Sequence, residues 1–171
     1  MHPNNNLRLN VGFFIGQSVG YSRDILFESP RLIYESDFIL SDFSGAARIT
    51  RTAQGLLVQA KMQATIPSEC VRCLTCFQLP LKIDFTELYA FSPQSVTDSG
   101  LLVSDDAHIN LAPLVREYML LEVPISPICQ TNCKGLCPIC GENLNEVTCE
   151  HTDQTVDPRL SMLNTLLDQE E

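Results

Sequence analysis

From Leu56 to Ile66 the chain alternates without a break. Leu56, Val58, Ala60, Met62, Ala64 and Ile66 fall on one side, and Gln59, Lys61, Gln63 and Thr65 on the other. A period of two puts successive side chains on opposite faces, so this stretch predicts a strand with one buried face and one wet face. Residues 46–52 predict its partner, joined to it through Ala53-Gln54-Gly55 as a hairpin in which Gly55 can take a positive φ. Leu81, Ile83 and Phe85, set against Lys82, Asp84 and Thr86, repeat the pattern in a strand over residues 79–91. Residues 7–11 alternate more briefly, in a first third that is irregular but strand-rich and cut by Gly, Pro, Ser and Asp.

The period then changes. Asn110 stands where an N-cap belongs, and Leu111, Leu114, Val115, Tyr118 and Leu121 follow at three- and four-residue steps, with Pro113 in the first turn and Pro124 as the stop. A second, short helix is predicted where Asp157-Pro158 precedes Leu160, Leu163, Leu166 and Leu167. Residues 92–108 predict a polar, acidic surface loop long enough to move. Strands precede helices and no repeats occur, which argues for an α+β fold: a mainly antiparallel sheet or partly open barrel with one or two helices and a zinc-held carboxy-terminal segment. The expected division is a β-rich core domain over 1–124, ending in a helix, and a cysteine-rich zinc-binding segment with its helix over 125–171.

Composition narrows the partners. At 171 residues and 44% apolar, the chain can bury a core without disulfide staples. Its net charge of −10 is unevenly spread: residues 1–85 carry 8 Lys/Arg and 7 Asp/Glu, whereas residues 86–171 carry 3 and 14. The acidic half repels phosphate backbones, so it is not expected to sheathe nucleic acid; basic proteins suit it better, or the charge serves only solubility. Residues 1–6 lack the basic and apolar regions of a secretory signal, and no apolar run reaches membrane-spanning length. A cytoplasmic location follows as an expectation. In a reducing compartment eight cysteines read as thiols or metal thiolates rather than disulfides.

Their spacing carries the chemistry: Cys70-x2-Cys73-x2-Cys76, then Cys129-x3-Cys133-x3-Cys137-x2-Cys140, then Cys149-x-His151. Zinc takes four N or S ligands in a tetrahedron, and ligands two to four residues apart on a turn can aim at one ion. Cys137-Pro138-Ile139-Cys140-Gly141 is the strongest piece, and Cys149 and His151 complete a site of three thiolates and an imidazole. Cys70, Cys73, Cys129 and Cys133 would then form an all-thiolate site, leaving Cys76 as a small buried hydrophobe. Two other arrangements stay open, one grouping Cys133, Cys137, Cys140 and Cys149, the other holding a single ion.

Closed thiolate shells leave no position for water or substrate, which argues against catalysis. A redox reading of Cys70-Val71-Arg72-Cys73 wants a strand-to-helix context, whereas here the motif lies between strands. Iron is second choice to zinc, because only one Cys-Pro-x-Cys-Gly knuckle is present. His2 and His108 read as solvated loop residues, and Asp105, Asp106 and His108 as an ordinary acidic loop. Arg72 and Lys134 are the basic residues to nominate for phosphate contact, with plain surface charge as their simpler role. Phosphate loops, nucleophile elbows and paired catalytic carboxylates are not found.

Several of these pieces together resemble the YceD-like family of bacteria and plastids. They are Cys70-Val71-Arg72-Cys73 after a long strand, Phe85-Thr86-Glu87, Ile109-Asn110-Leu111, Glu122-Val123-Pro124, the run Cys133-Lys134-Gly135-Leu136-Cys137-Pro138-Ile139-Cys140-Gly141-Glu142-Asn143-Leu144-Asn145, and Asp157-Pro158-Arg159-Leu160. The resemblance spans residues 70–167; His151 stands where many relatives have cysteine, which preserves a ligand. Other members lack most of these cysteines, which implies that the metal supports the fold and is not itself the activity. The resemblance implies a non-catalytic ribosome-assembly factor supporting accumulation of large-subunit ribosomal RNA, its genes in bacteria often neighbouring one for a zinc-ribbon protein of that subunit. A ribosomal protein or pre-ribosomal particle is the implied partner, bound through the acidic half, with ribosomal RNA touched by the near-neutral first half. The rival reading is a thiol- or iron-dependent redox enzyme or electron carrier, and a third is a metal-stabilised adaptor with no ribosomal connection.

Overall fold

In a computed structural model, residues 7–34 and 38–151 are described. The helix expected after Asp157, and His2, lie outside them. The chain divides into two compact units, Met1–Ser68 with Cys76–Pro127, and Glu69–Thr75 with Ile128–Glu171.

The first unit is built on four long strands in the order β2-β3-β4-β5: Ser22–Tyr34, Phe38–Arg51, Gly55–Glu69 and Cys76–Ala90. β2 and β3 pair antiparallel from Ser22 opposite Thr50 to Tyr34 opposite Phe38. β3 and β4 form the expected hairpin, with Arg51 opposite Leu56, interrupted by a bulge between Ser41 and Ser44 where Asp42 takes φ +51. Gly55 lies against Tyr89 and Ala90, while Lys61 pairs with Asp84 at 2.8 Å. Advancing along β4 therefore means retreating along β5, so this pair is antiparallel too. The sheet is open, and Pro30 and Pro80 sit on its two edge strands, where a missing N–H costs no central ladder bond.

Each alternating residue named for β4 lands on the face its parity predicts. Leu56, Val58, Ala60, Met62, Ala64 and Ile66 are buried and Gln59, Lys61 and Gln63 exposed; Leu81, Ile83 and Phe85 are likewise buried in β5. Gly55 does its work differently from the expectation. Its φ is not positive; instead, a Cβ there would stand 2.2 Å from the Tyr89 carbonyl oxygen, so glycine serves the close approach of two backbones.

A two-stranded sheet of β1 (Arg8–Asn10) and β6 (His108–Asn110), a one-turn helix α1 (Gly12–Ile15), a 3-10 turn at Pro93–Ser95 and α2 (Ala112–Leu121) belong to the same unit. α2 begins one residue later than the Asn110 cap implies, yet the Asn110 Oδ1 does accept the Ala112 N–H at 3.0 Å. Leu111, Leu114 and Val115 are buried, but Leu121 is 80% exposed and Met119, one turn after Val115, takes the inner position. The loop over 92–108 is tied down rather than free. The Ala90 N–H donates to the Leu101 carbonyl at 3.0 Å, the Val103 N–H to the Ala90 carbonyl at 2.9 Å, and Leu101 and Val103 pack against the core. Two apolar side chains every other residue supply the anchor that an acidic composition conceals. Among the described residues no helix is long and apolar enough to cross a membrane.

Candidate metal centre

The turn from β4 into β5 carries the first two cysteines. Its six residues are closed by the Cys70 N–H donating to the Thr75 carbonyl at 3.0 Å and the Leu74 N–H to the Cys70 carbonyl at 2.9 Å, with Leu74 forced to φ +56. So tight a loop turns both Cys70 and Cys73 inward. Arg72, between them, donates from Nη1 to the Cys133 carbonyl at 3.1 Å, and the Leu136 N–H donates to the Arg72 carbonyl at 3.1 Å. Arg72 is thus a strut within the second unit, a role beyond the surface charge expected of it.

These bonds bring Cys129 and Cys133 to the loop. The sulfurs of Cys70, Cys73, Cys129 and Cys133 all lie within 4.8 Å of one another, Cys70 to Cys133 at 3.8 Å and Cys73 to Cys129 at 3.6 Å. A tetrahedron with metal–sulfur bonds of about 2.3 Å has edges of about 3.8 Å, so the spacing is that of thiolates around one ion. Disulfides would need about 2.05 Å, and all eight cysteines are free. Cys70, Cys73 and Cys133 are buried and Cys129 half-buried.

The second group forms around a knuckle. The Gly141 N–H donates to the Cys137 carbonyl and the Cys137 N–H to the Glu142 carbonyl, both at 2.8 Å, and Gly141 takes φ +76, which a side chain would resist. Cys137, Cys140, Cys149 and His151 place their donor atoms within 4.8 Å of one another, with Cys137 Sγ 3.9 Å from His151 Nδ1. This group is more open: Cys137 is buried, Cys149 half-buried, Cys140 and His151 exposed. The structure thus gathers Cys133 with Cys70, Cys73 and Cys129, not with the knuckle.

Electrostatics differ from thiol to thiol. Burial opposes ionisation of Cys70, but backbone N–H groups of Cys129, Cys73 and Arg72 outweigh it and bring the thiol down to about 6. The Thr75 hydroxyl lowers Cys73. Burial, together with the neighbouring sulfurs, pushes Cys129 up to about 12. In the second group N–H groups of Cys140 and Ile139 bring Cys137 down to about 6, and the sulfur of Cys137 raises Cys149. Each group thus sets a thiol that ionises easily beside one that keeps its proton, and each could hold a metal ion.

Residues outside the groups resolve simply. Cys76 is exposed, contrary to the expectation of a buried hydrophobe: β5 buries Leu81, Ile83 and Phe85, so the even-numbered residues before and between them, Cys76 included, face outward. Asp106 pairs with Arg8 of β1 and accepts from Ser104, and His108 Nδ1 lies 2.7 Å from the Asp106 carbonyl oxygen, so Asp106 and His108 are engaged locally rather than grouped as metal donors. The Lys134 side chain is exposed, while its N–H donates to Asn145 Oδ1 at 2.9 Å. Thr75 and Asn145 contact sulfurs of the first group, Asn143 reaches it through both of them, and all three escape the sequence reading as site residues. Their nearest signal is position, beside or between ligands, in types that bond to backbone.

Residues 58–167 match the family described as large ribosomal RNA subunit accumulation protein YceD. An uncharacterized protein of Mycobacterium tuberculosis is 34% identical over 127 residues, which is 70% of this chain and 59% of the relative. The chain therefore spans about three fifths of the length of the mycobacterial relatives it matches. Uncharacterized protein YlbN of Bacillus subtilis is 31% identical over 119 residues, 66% of this chain and 69% of the relative. A shorter match, 42% identical over 40 residues, covers 23% of this chain and 14% of a Zea mays protein named large ribosomal RNA subunit accumulation protein YCED homolog 1, chloroplastic. No solved structure matches. With the family pattern covering both cysteine groups and the strands that present the first, this chain belongs to the YceD family.

Proposed function

We propose that this protein is a non-catalytic, zinc-binding factor that supports accumulation of large-subunit ribosomal RNA. One observation carries the zinc reading. Among the described residues of the second unit, the buried apolar side chains are cysteines alone: Cys70, Cys73, Cys133 and Cys137. A segment without a buried aliphatic core offsets little of its ordering entropy, whereas a structural zinc contributes about 10–16 kcal/mol of apparent binding free energy that is also folding free energy. Four thiolates in one group and three with an imidazole in the other favour zinc over harder cations. Both shells are full, which leaves the ions no catalytic position.

The ribosomal reading rests on family membership and on the names its plant members carry. The acidic second half, with 14 Asp/Glu against 3 Lys/Arg, suits a basic ribosomal protein better than naked RNA. The more evenly charged first half is the part to which RNA contact is assigned. The assembly takes place in the compartment that builds the ribosomes, which is the cytoplasm in a bacterium.

The test has two arms. Natively purified protein is expected to be colourless, to carry two zinc ions per chain and to resist thiol alkylation until chelated; a coloured, iron-loaded or reversibly oxidised protein supports the electron-carrier reading instead. Depletion from cells is expected to lower large-subunit ribosomal RNA relative to small-subunit RNA, with a basic large-subunit protein recovered in pull-downs. Unchanged large-subunit RNA on full depletion sinks the ribosomal reading.

A further inference from the structure

The chain between Cys140 and Cys149 does more than connect two ligands of the second group. Its backbone is laced to the segment that joins the groups: Leu136 bridges Asn143 antiparallel, and the Leu144 N–H donates to the Gly135 carbonyl at 3.0 Å. Its side chains then reach the other group. Asn145 Oδ1 accepts the Lys134 N–H at 2.9 Å, and because a backbone amide can only donate, this bond fixes the amide's orientation. Asn145 Nδ2 is thereby aimed at Cys133 Sγ, 3.4 Å away, and at Asn143 Oδ1, 2.8 Å away. Asn143 in turn donates from Nδ2 to Thr75 Oγ1 at 3.4 Å, and Thr75 Oγ1 lies 3.3 Å from Cys73 Sγ. One loop thus supports two ligands of the first group, Cys133 directly and Cys73 through Thr75.

We propose that Asn145, seconded by Asn143, is a positioning residue for the Cys70, Cys73, Cys129 and Cys133 site, and that the loop over 141–148 makes an ion in the second site strengthen the hold on an ion in the first. The inference rests on the metal reading above. Its physical basis is sequential ordering. An N–H aimed at a metal-bound sulfur stabilises the thiolate and fixes its direction, and such partners typically alter metal retention by about 10–100-fold. Asn145 can supply that N–H only while its loop is ordered, and the loop's two ends are Cys140 and Cys149. Loading the second site orders the loop once; the first site then gains the aimed amide without a further entropy cost. By reciprocity the first ion strengthens the second.

The experiment uses the full chain loaded with cadmium-113, whose NMR signals separate an all-sulfur site from one in which a nitrogen replaces a sulfur, and follows release of each ion to a chelator. Asn145→Ala is expected to speed release from the all-sulfur site about ten-fold. Asn145→Asp has the same shape and keeps the acceptor for Lys134, but sets a carboxylate oxygen against Cys133; it is expected to speed that release further with the fold intact. His151→Ala, which weakens the second site, is expected to speed release from the first in the natural chain and to do so much less in the Asn145→Ala background. Unchanged release from the all-sulfur site in both Asn145 variants, or an effect of His151→Ala that is the same in both backgrounds, overturns the coupling while leaving two metal sites standing. A natural chain that binds no cadmium overturns both the metal reading and the coupling.

Discussion

At the scale of single residues, close approach and proton occupancy set the sharpest constraints. Gly55→Ala must push the β3–β4 turn away from the end of β5, since the new Cβ would meet the Tyr89 carbonyl oxygen at 2.2 Å; a loss of about 1–3 kcal/mol is expected in urea unfolding. Gly16 faces open space at φ −83, so Gly16→Ala is expected to leave stability unchanged or slightly raised, and a matching loss there would refute the steric explanation. Protons make a second residue-scale prediction. Cys129, pushed up to about 12, and Cys149, also raised, are thiols near neutral pH, so zinc must displace their protons and affinity must fall as pH falls. Cys70 and Cys137 sit at about 6 against an ordinary 9.0. What their ionisation adds to the ordered state is therefore full above 9.0, shrinks through that window and is gone below about 6. Titrating zinc calorimetrically near neutral pH in buffers of unequal ionisation enthalpy should reveal proton release; equal heats would contradict it. At this scale the ligand types are legible because two- and three-residue spacings constrain local turns. Asn145 is not, because its amide matters only through Lys134 and Cys133, 11 and 12 residues away.

At the scale of elements, legibility follows the strength of the period. β4 and β5 alternate cleanly and can be read directly, and the hairpin of β3 and β4 with them. β2 is not legible as a 13-residue strand, because Arg23, Asp24, Glu28, Pro30 and Arg31 break its pattern; as an edge strand it borrows its extended form from the ladder with β3. α1 is hidden for a similar reason: four residues carry too little period to see, and Phe14 docking in the core holds the turn. The contact of α2 with β5 supplies the element-scale prediction. Tyr118 stacks on Phe85 with ring centroids 4.8 Å apart, and its hydroxyl donates to Glu87 Oε1 at 2.8 Å. Tyr118→Phe keeps the stack and removes only the hydrogen bond, which should cost about 1 kcal/mol, whereas Tyr118→Ala should cost clearly more. Equal losses from the two substitutions, measured by chemical unfolding, would mean that the ring contributes nothing to docking the helix.

At the scale of the whole molecule, the two units are held together inside by different physics. In the first, Leu40, Phe43, Ile49, Leu56, Val58, Ile109, Val115 and Met119 are almost wholly removed from water, a core that stabilises by area and needs no cofactor. In the second, the buried apolar side chains among the described residues are cysteines of the two candidate metal groups. Spacing alone offers the meeting of the turn Glu69–Thr75 with residues 128–151 as the leading one of three arrangements, because it fixes local pairs of cysteines more firmly than it fixes which pairs meet; the fold selects that arrangement. The contrast predicts a split response to removing metal. Chelation should let the amides of residues 70–75 and 128–151 exchange with solvent at nearly unfolded rates, while those of β3 and β4, laddered over the aliphatic core, keep their protection. Hydrogen-exchange mass spectrometry with and without chelator reads both in one experiment. Protection lost everywhere at once would mean that the sheet depends on the ions after all. Protection kept everywhere would mean that the cysteine segment orders itself by contacts that need no metal, and the zinc reading would fall with it.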